Sequence, residues 1–357
     1  MNPSQRFLAQ LAIKFPIIQA PMAGVATPQL AAAVSNAGAL GSLGIGASTA
    51  AQARQMIEET RALSRAPLNI NVFCHAPAQR DANAEAAWVQ HIAPLLAEHG
   101  VEAPSALTEI YKTFDDDDET FRMLLELRPE LVSFHFGLPS RERLTALKHA
   151  GIYTMATATS LQEALLIEKA GIDAVVAQGI EAGGHRGMFD PNQTDERLST
   201  AVLVRLLVLR TEIPIIAAGG IMDGAGVKAA LDLGAVAAQL GTAFILCPES
   251  SANAAYRANL KCERAAVTRL TSAISGRPAR GILNRLITHC EGEGSPRAAA
   301  YPLAYDIAKQ LHAAASKVEN HEFAAHWAGQ GAPLAREMAA AELVQTLVQE
   351  MGGSTPR

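Results

Sequence analysis

The residues best suited to chemistry stand together in Gln178-Gly-Ile-Glu-Ala-Gly-Gly-His-Arg-Gly187. A titratable imidazole, His185, directly follows Gly183 and Gly184, whose backbone can approach a ligand closely. The stretch continues an apolar run, Ala174 to Ala177, of the kind a strand buried on both faces requires. A histidine on a loop held by such a strand can hold or accept a proton on a bound molecule. The alternative is a glycine-rich turn with a surface histidine. Polar side chains recur within other apolar runs. Asn69 and Asn71, and likewise Ser133 and His135, stand two residues apart and so share one side of a strand. Burying them is costly unless they are hydrogen-bonded, and a flat polar ligand across these strand ends would satisfy several together. Ala218-Gly219-Gly220 and Gln239-Leu240-Gly241-Thr242 close two further runs. Glycine ends of this kind bind phosphate through backbone N–H groups, although tight turns alone would also use them. Tyr301, Tyr305 and Lys309, spaced i, i+4, i+8, share a helix face that either lines an anion pocket or is an ordinary amphipathic surface. The two guanidiniums of Ser275-Gly-Arg-Pro-Ala-Arg280 are expected in structural ion pairs, and the acidic run Asp115–Asp118 reads as a solvated helix start.

These groups need a frame, and the chain supplies a regular one. Eight apolar runs read as strands: Pro16–Met22, Ala39–Gly44, Leu68–Phe73, Leu131–Gly137, Ile152–Ala158, Ala174–Gly179, Ile213–Gly220 and Ala237–Phe244. Segments of helical period lie between most of them, among them Thr27–Ala37, Ala50–Leu63, Arg141–Ala150, Ser160–Ala170, Thr200–Leu209 and Gly224–Leu233. Several stop at a glycine that reads as a helix end: Gly38, Gly151, Gly171 and Gly234. Strict alternation requires a parallel sheet, because parallel strands need crossover helices. Eight units predict an α/β fold, a (β/α)8 TIM barrel, with its site at the C-terminal ends of the strands. After Phe244 the alternation stops. Residues 248–322 are expected to form a smaller, mostly helical domain over the barrel mouth, inserted after strand eight. The barrel would comprise 1–247 and 323–357, with Phe323–Met351 returning as an interrupted helix.

Composition narrows the class. The 357 residues are 49% hydrophobic, 18% charged and only 5% aromatic, enough apolar material for a large core. A net charge of −5 argues against a nucleic-acid partner. Four cysteines without CxxC spacing favour a reducing compartment over disulfides or zinc, and no metal is expected. No apolar run reaches 18 residues and the N-terminus has no signal-like apolar region, so neither a membrane span nor export is expected, and the location is read as cytoplasmic. A homodimer is compatible with the sequence, which does not fix the oligomeric state.

Together these motifs resemble the nitronate monooxygenases (2-nitropropane dioxygenases), bacterial class I. The matching stretches are Gln19–Pro28 with Ala31–Gly41, Asn69–His75, Val132–Gly137, Gln178–Gly187, Ala217–Gly224, Gln239–Thr242 and Ser275–Gly281. The resemblance implies a TIM barrel with an added substrate domain that uses FMN and O2. It implies oxidation of alkyl nitronates, propionate 3-nitronate among them, to an aldehyde (3-oxopropanoate) with release of nitrite or nitrate. It also implies that Ala20, Pro21 and Met22 lie against the isoalloxazine and that Asn71 and Gln178 hydrogen-bond it. Gly183 and Gly184 would face the cofactor, while Ala218, Gly219, Gly220, Gln239, Leu240, Gly241 and Thr242 would hold its phosphate. His185 would be the catalytic histidine. Tyr111, His135, Tyr301, Tyr305 and Lys309 would line the substrate pocket. Ala26 and Ala39 depart from the family pattern without touching any group assigned to chemistry.

A nitronate is already a carbanion equivalent, so it needs an anion holder, for which an imidazolium His185 beside His135 and Lys309 would serve. A neutral nitroalkane needs a base, for which a neutral His185 would serve. Two other readings compete: an FMN barrel reducing quinones or enoyl thioesters with NAD(P)H, and a flavin-free barrel binding a sugar phosphate.

Overall fold

The computed structural model describes residues 2–353. Eleven strands are formed, in chain order β1 (Ile17–Gln19), β2 (Gly41–Gly44), β3 (Leu68–Phe73), β4 (Leu131–His135), β5 (Tyr153–Ala158), β6 (Ala174–Gln178), β7 (Gly184–His185), β8 (Ile215–Ala218), β9 (Ala237–Leu240), β10 (Thr268–Thr271) and β11 (Ala279–Ile282). Eight of them pair in parallel in the order β1-β9-β8-β6-β5-β4-β3-β2. A parallel bridge between Ile18 and Leu40 joins the two ends, so the sheet closes into the expected barrel. Its strands are apolar on both faces because helices cover the outside and side-chain layers fill the inside. Ile17, Ile70, Val132 and Val175 are accordingly buried in one continuous core.

The crossover helices begin and end where local chemistry dictates. Thr27, Thr49, Ser160, Ser199 and Asp223 each accept a backbone N–H of the first turn. Gly38, Gly151, Gly171 and Gly234 take positive φ at the helix exits, as expected of helix-ending glycines. Asp117 caps the helix Asp118–Leu127, so the acidic run is a helix start.

Several boundaries differ from expectation. Strand nine's run stops at Leu240 and continues as a 3-10 turn, Thr242–Phe244. The anticipated helix over 323–351 forms only as Ala340–Met351. Gly329, Gly331 and Pro333 break the segment before it, and the two glycines press against the barrel mouth. A Cβ on Gly329 would lie 2.6 Å from the Glu181 carbonyl oxygen, and one on Gly331 2.6 Å from Met222 Cγ.

A second layer sits over the mouth. Its apolar core joins Leu286, Leu303, Ile307, Leu311 and Phe323 to Trp88, Ile92, Leu95 and Leu96 of helix Ala82–Ala97. The long step between β3 and β4 therefore feeds this layer as well. The layer also carries an antiparallel sheet, β10-β11-β7, absent from the sequence reading. Ala279 pairs with His185 and Arg280 with Gly184. The loop leaving β6 is thus sewn to the covering layer at the histidine itself.

Candidate active site

The strand ends and the covering layer enclose a cavity of about 340 Å³, of the size small ligands and cofactors occupy. The sequence-predicted Ala20, Pro21, Met22, Asn71, Gln178, Gly183, Gly184, Ala218, Gly219, Gly220, Gln239, Gly241 and Thr242 all line it. So do His185, Tyr111, His135, Tyr301, Tyr305 and Lys309. Leu240 does not: it is 1% exposed and packs in the barrel core. Neighbouring strand residues point to opposite faces, and with Gln239 turned to the cavity Leu240 must turn away.

One end of the cavity presents backbone N–H groups. Gly219 and Gly220 have φ of +121° and +70°, a backbone region that favours glycine. Among the described residues, the N–H groups of Gly219, Gly220, Gly241 and Thr242 donate to no protein acceptor. Free donors of this kind are what a phosphate requires. Among the described residues no carboxylate lines the cavity, and Lys309 is the one lysine or arginine in its lining. Its Nζ lies 4.9 Å from the Tyr111 ring centre and 5.4 Å from that of Tyr305, within cation–π range.

The histidine end is braced by backbone and amide groups. Gln178 Nε2 donates to the His185 carbonyl at 3.0 Å, while its Oε1 accepts the Gly187 N–H at 2.8 Å. Arg186 anchors the same loop through two bonds to Asp195, at 2.8 and 2.9 Å, and a third to the Gln178 carbonyl. His135 Nε2 faces the His185 carbonyl at 3.2 Å and must carry a proton to do so. Its Nδ1 then accepts from Thr157 Oγ1 at 3.1 Å. Both His135 nitrogens are therefore spent on protein. Asn71 Nδ2 donates to Ser133 Oγ at 3.0 Å and to the Ser133 carbonyl at 3.1 Å. Its Oδ1 has no protein partner among the described residues and is left for a ligand.

Electrostatics correct one expectation. Burial lowers the His185 pKa to about 3, with His135 and Arg277 adding to the effect. Burial likewise brings His135 down to about 4. Both are neutral at pH 7, so the cationic lining reduces to Lys309. Burial also pushes Tyr301 well above the usual phenol range, and its Oη is buried without a partner. It stays a proton donor.

Two other expectations change. Tyr301 precedes the helix Leu303–Ser316 instead of lying on it, yet it still reaches the cavity with Tyr305 and Lys309. Arg277 and Arg280 form no ion pair among the described residues. Arg277 donates to the Met188 and Phe189 carbonyls and stacks 4.3 Å from the Phe136 ring centre, while Arg280 Nε donates to the Ile180 carbonyl at 3.2 Å.

A glycine end with free backbone N–H groups, an amide-lined middle and a histidine under an aromatic roof therefore share one cavity. A sequence model described as nitronate monooxygenase matches residues 5–350. The chain belongs to the nitronate monooxygenase family. It is 55% identical over 350 residues to a nitronate monooxygenase of Pseudomonas aeruginosa, covering 98% of this chain and 100% of that one. It is also 55% identical over 344 residues to one of Paraburkholderia phytofirmans, covering 96% of this chain and 94% of that one. A solved structure, nitroalkane oxidase from Streptomyces ansochromogenes, superposes with a TM-score of 0.89 at 40% identity over 98% of both chains.

As a nitronate monooxygenase family member the protein is an oxidoreductase of a flavin-dependent family. The site includes residues that sequence reasoning missed. Trp327 packs its ring 5.2 Å from His185, and Tyr256, whose hydroxyl donates to the Trp327 carbonyl, lines the cavity beside it. Both came from segments read only as helical, where an aromatic is as readily core as site. Thr157 was hidden as the penultimate residue of an apolar strand. Among the described residues no helix is long and apolar enough to cross a membrane.

Proposed function

We propose that the protein oxidises alkyl nitronates with FMN and O2, propionate 3-nitronate among them, giving an aldehyde (3-oxopropanoate) with release of nitrite or nitrate. The observation that carries this reading is the cavity's one-sided charge. It offers free N–H groups at one end and Lys309 at the other, with no carboxylate in its lining. An anionic cofactor and an anionic substrate suit such a cavity, since no carboxylate repels them and buried charge needs a partner.

The residues present fit FMN. Gly219, Gly220, Gly241 and Thr242 would hold its phosphate, and Asn71, Gln178 and the Ala20-Pro21-Met22 backbone would meet the ring. Bound there, FMN would accept electrons from the nitronate and pass them to O2. Lys309 would hold the substrate carboxylate by a charge-assisted bond, and Tyr301 would donate its phenol proton in a hydrogen bond to a nitronate oxygen. Neutral His185 would accept hydrogen bonds, and for a neutral nitroalkane it would take the α-proton as base. Trp327, Tyr305 and Phe136 would exclude water around it. The covering layer, residues 248–322 with helix Ala82–Ala97, would serve as the substrate lid.

Anaerobic mixing tests the reading. Propionate 3-nitronate should bleach the flavin absorbance and NADH should not. Bleaching by NADH alone would replace this reading with an NAD(P)H-dependent quinone or enoyl-thioester reductase on the same barrel. Purified protein that takes up no flavin when FMN is supplied would point to a sugar-phosphate binder.

A further inference from the structure

His185 is held from behind by a hydroxyl that none of the roles above uses. Its Nε2 lies 2.8 Å from Ser275 Oγ, and Ser275 is 1% exposed. That hydroxyl has one proton, and the Arg277 carbonyl oxygen, 3.1 Å away within the same turn, is an acceptor for it. The Arg277 backbone N–H meets Oγ on another side at 3.3 Å. A hydroxyl oxygen that donates to Arg277 presents a lone pair to His185, so Nε2 must be the protonated ring nitrogen. Nδ1 then keeps its lone pair. Among the described residues Nδ1 has no protein partner, and the His185 ring lines the cavity.

We propose that Ser275 is a positioning residue that fixes His185 in its Nε2–H tautomer and makes Nδ1 the atom that meets the substrate. The turn is built to keep this contact. Arg277 clamps the far side of the histidine loop at Met188 and Phe189, the Arg186 N–H donates to the Pro278 carbonyl at 2.8 Å, and Ala279 pairs with His185 across β7 and β11. The loop and the turn therefore move as one piece. Proton transfer at Nδ1 balances simply: the α C–H electron pair of a nitroalkane moves into the C=N bond, its negative charge settles on the two oxygens, and the proton stays on Nδ1. This role, unlike the tautomer itself, rests on the nitronate and nitroalkane chemistry proposed above.

The groups facing His185 are His135 from β4, Arg277 and Ser275 from the β10–β11 turn, Phe136, Tyr301 and Tyr305, and Trp327. Arg186, paired to Asp195, and Lys309 are the nearby charges. None of these offers Nε2 or Nδ1 an alternative carboxylate, so the serine alone decides the tautomer.

Long-range ¹H–¹⁵N spectra of histidine-labelled holoenzyme test this directly, with His185 assigned by its loss in His185→Gln. A protonated Nε2 and a bare Nδ1 are expected. A bare Nε2 with a protonated Nδ1 would overturn the proposal. This spectrum reads the tautomer whatever the protein oxidises, so it fails separately from the functional reading. Ser275→Ala should then mix the tautomers and lower kcat/KM for nitroethane about tenfold or more, as loss of other histidine-orienting partners does, with a smaller loss on ethyl nitronate. A variant that keeps both the tautomer and the nitroethane rate would overturn the positioning role. Should Ser275→Ala fail to fold, the wild-type spectrum still decides the tautomer.

Discussion

At the scale of single residues, the proposed function divides the work between two side chains, and their substitutions should separate. His185 is neutral because burial lowers its pKa to about 3, so at pH 7 it presents a lone pair and no charge. A neutral nitroalkane needs that acceptor, whereas a nitronate has lost its proton already. His185→Asn should therefore lower turnover of nitroethane by about 10²- to 10⁴-fold and that of ethyl nitronate far less, measured as oxygen uptake on each. Equal, unaltered turnover of both would remove His185 from the chemistry. Lys309 carries the charge instead. It faces two phenol rings and has no carboxylate within ion-pair distance among the described residues. Lys309→Met should raise KM for propionate 3-nitronate about tenfold or more, the worth of a charge-assisted hydrogen bond, while KM for carboxylate-free propyl nitronate moves little. The same rise for both substrates would show that Lys309 shapes the pocket without reading the carboxylate.

At the scale of elements, what the sequence made legible was periodicity, and what it hid was contact between distant segments. The eight strands, the helices between them and the helix-ending glycines are local patterns, and they appear in the places read, with several ends shifted. Tyr111 was found through family resemblance, Tyr301, Tyr305 and Lys309 through a spacing that left pocket and surface open until the resemblance favoured the pocket, and Ser275 was seen only as part of a turn expected to pair charges. Its contact with His185 spans 90 residues and depends on β11 pairing with β7, a short sheet with no periodic signature. Gly329 and Gly331 looked like interruptions of a helix but are close-contact points against the barrel. Gly183 shows the same logic from the other side. A Cβ there would lie 2.5 Å from Gly329 N and 2.6 Å from Ala328 C, both backbone atoms unable to move away cheaply. Gly183→Ala should push the two segments apart, costing about 1–3 kcal/mol as overpacking does. The expected result is a lower Tm together with weaker flavin retention, read from the ratio of flavin to protein absorbance after gel filtration. A variant with unchanged Tm and full flavin would show that these segments are free to separate.

At the scale of the molecule, burying imidazoles to keep a site neutral has a consequence for the whole fold. Among the described residues six histidines have pKa values lowered mainly by burial: His185 to about 3, His75, His135 and His326 to about 4, and His91 and His312 in the same direction. The unfolded chain holds these groups near 6.5, so between pH 6.5 and about 4 it binds more protons than the native state does. Stability must then rise with pH across that window and fall as acid is added. The buried carboxylate–arginine pairs act in the same direction only further down. Asp195, held low by Arg186, contributes stability that is present above the ordinary carboxylate range and lost on approach to its own folded pKa. Thermal unfolding followed from pH 7.5 to 4.5 at constant ionic strength should therefore show Tm falling from about pH 6.5 downward, before most carboxylates protonate. Two of these histidines belong to the site, so His135→Gln should reduce the slope of Tm against pH in that window, even though it lowers Tm at pH 7.5 by removing the bond that holds the His185 carbonyl. A slope that begins only below about pH 4.5 would mean that the cavity admits enough water to charge its imidazoles in the native state. That outcome would also put His185 back near its ordinary pKa of about 6.5, able to hold a nitronate by charge below that pH and to act as a base above it.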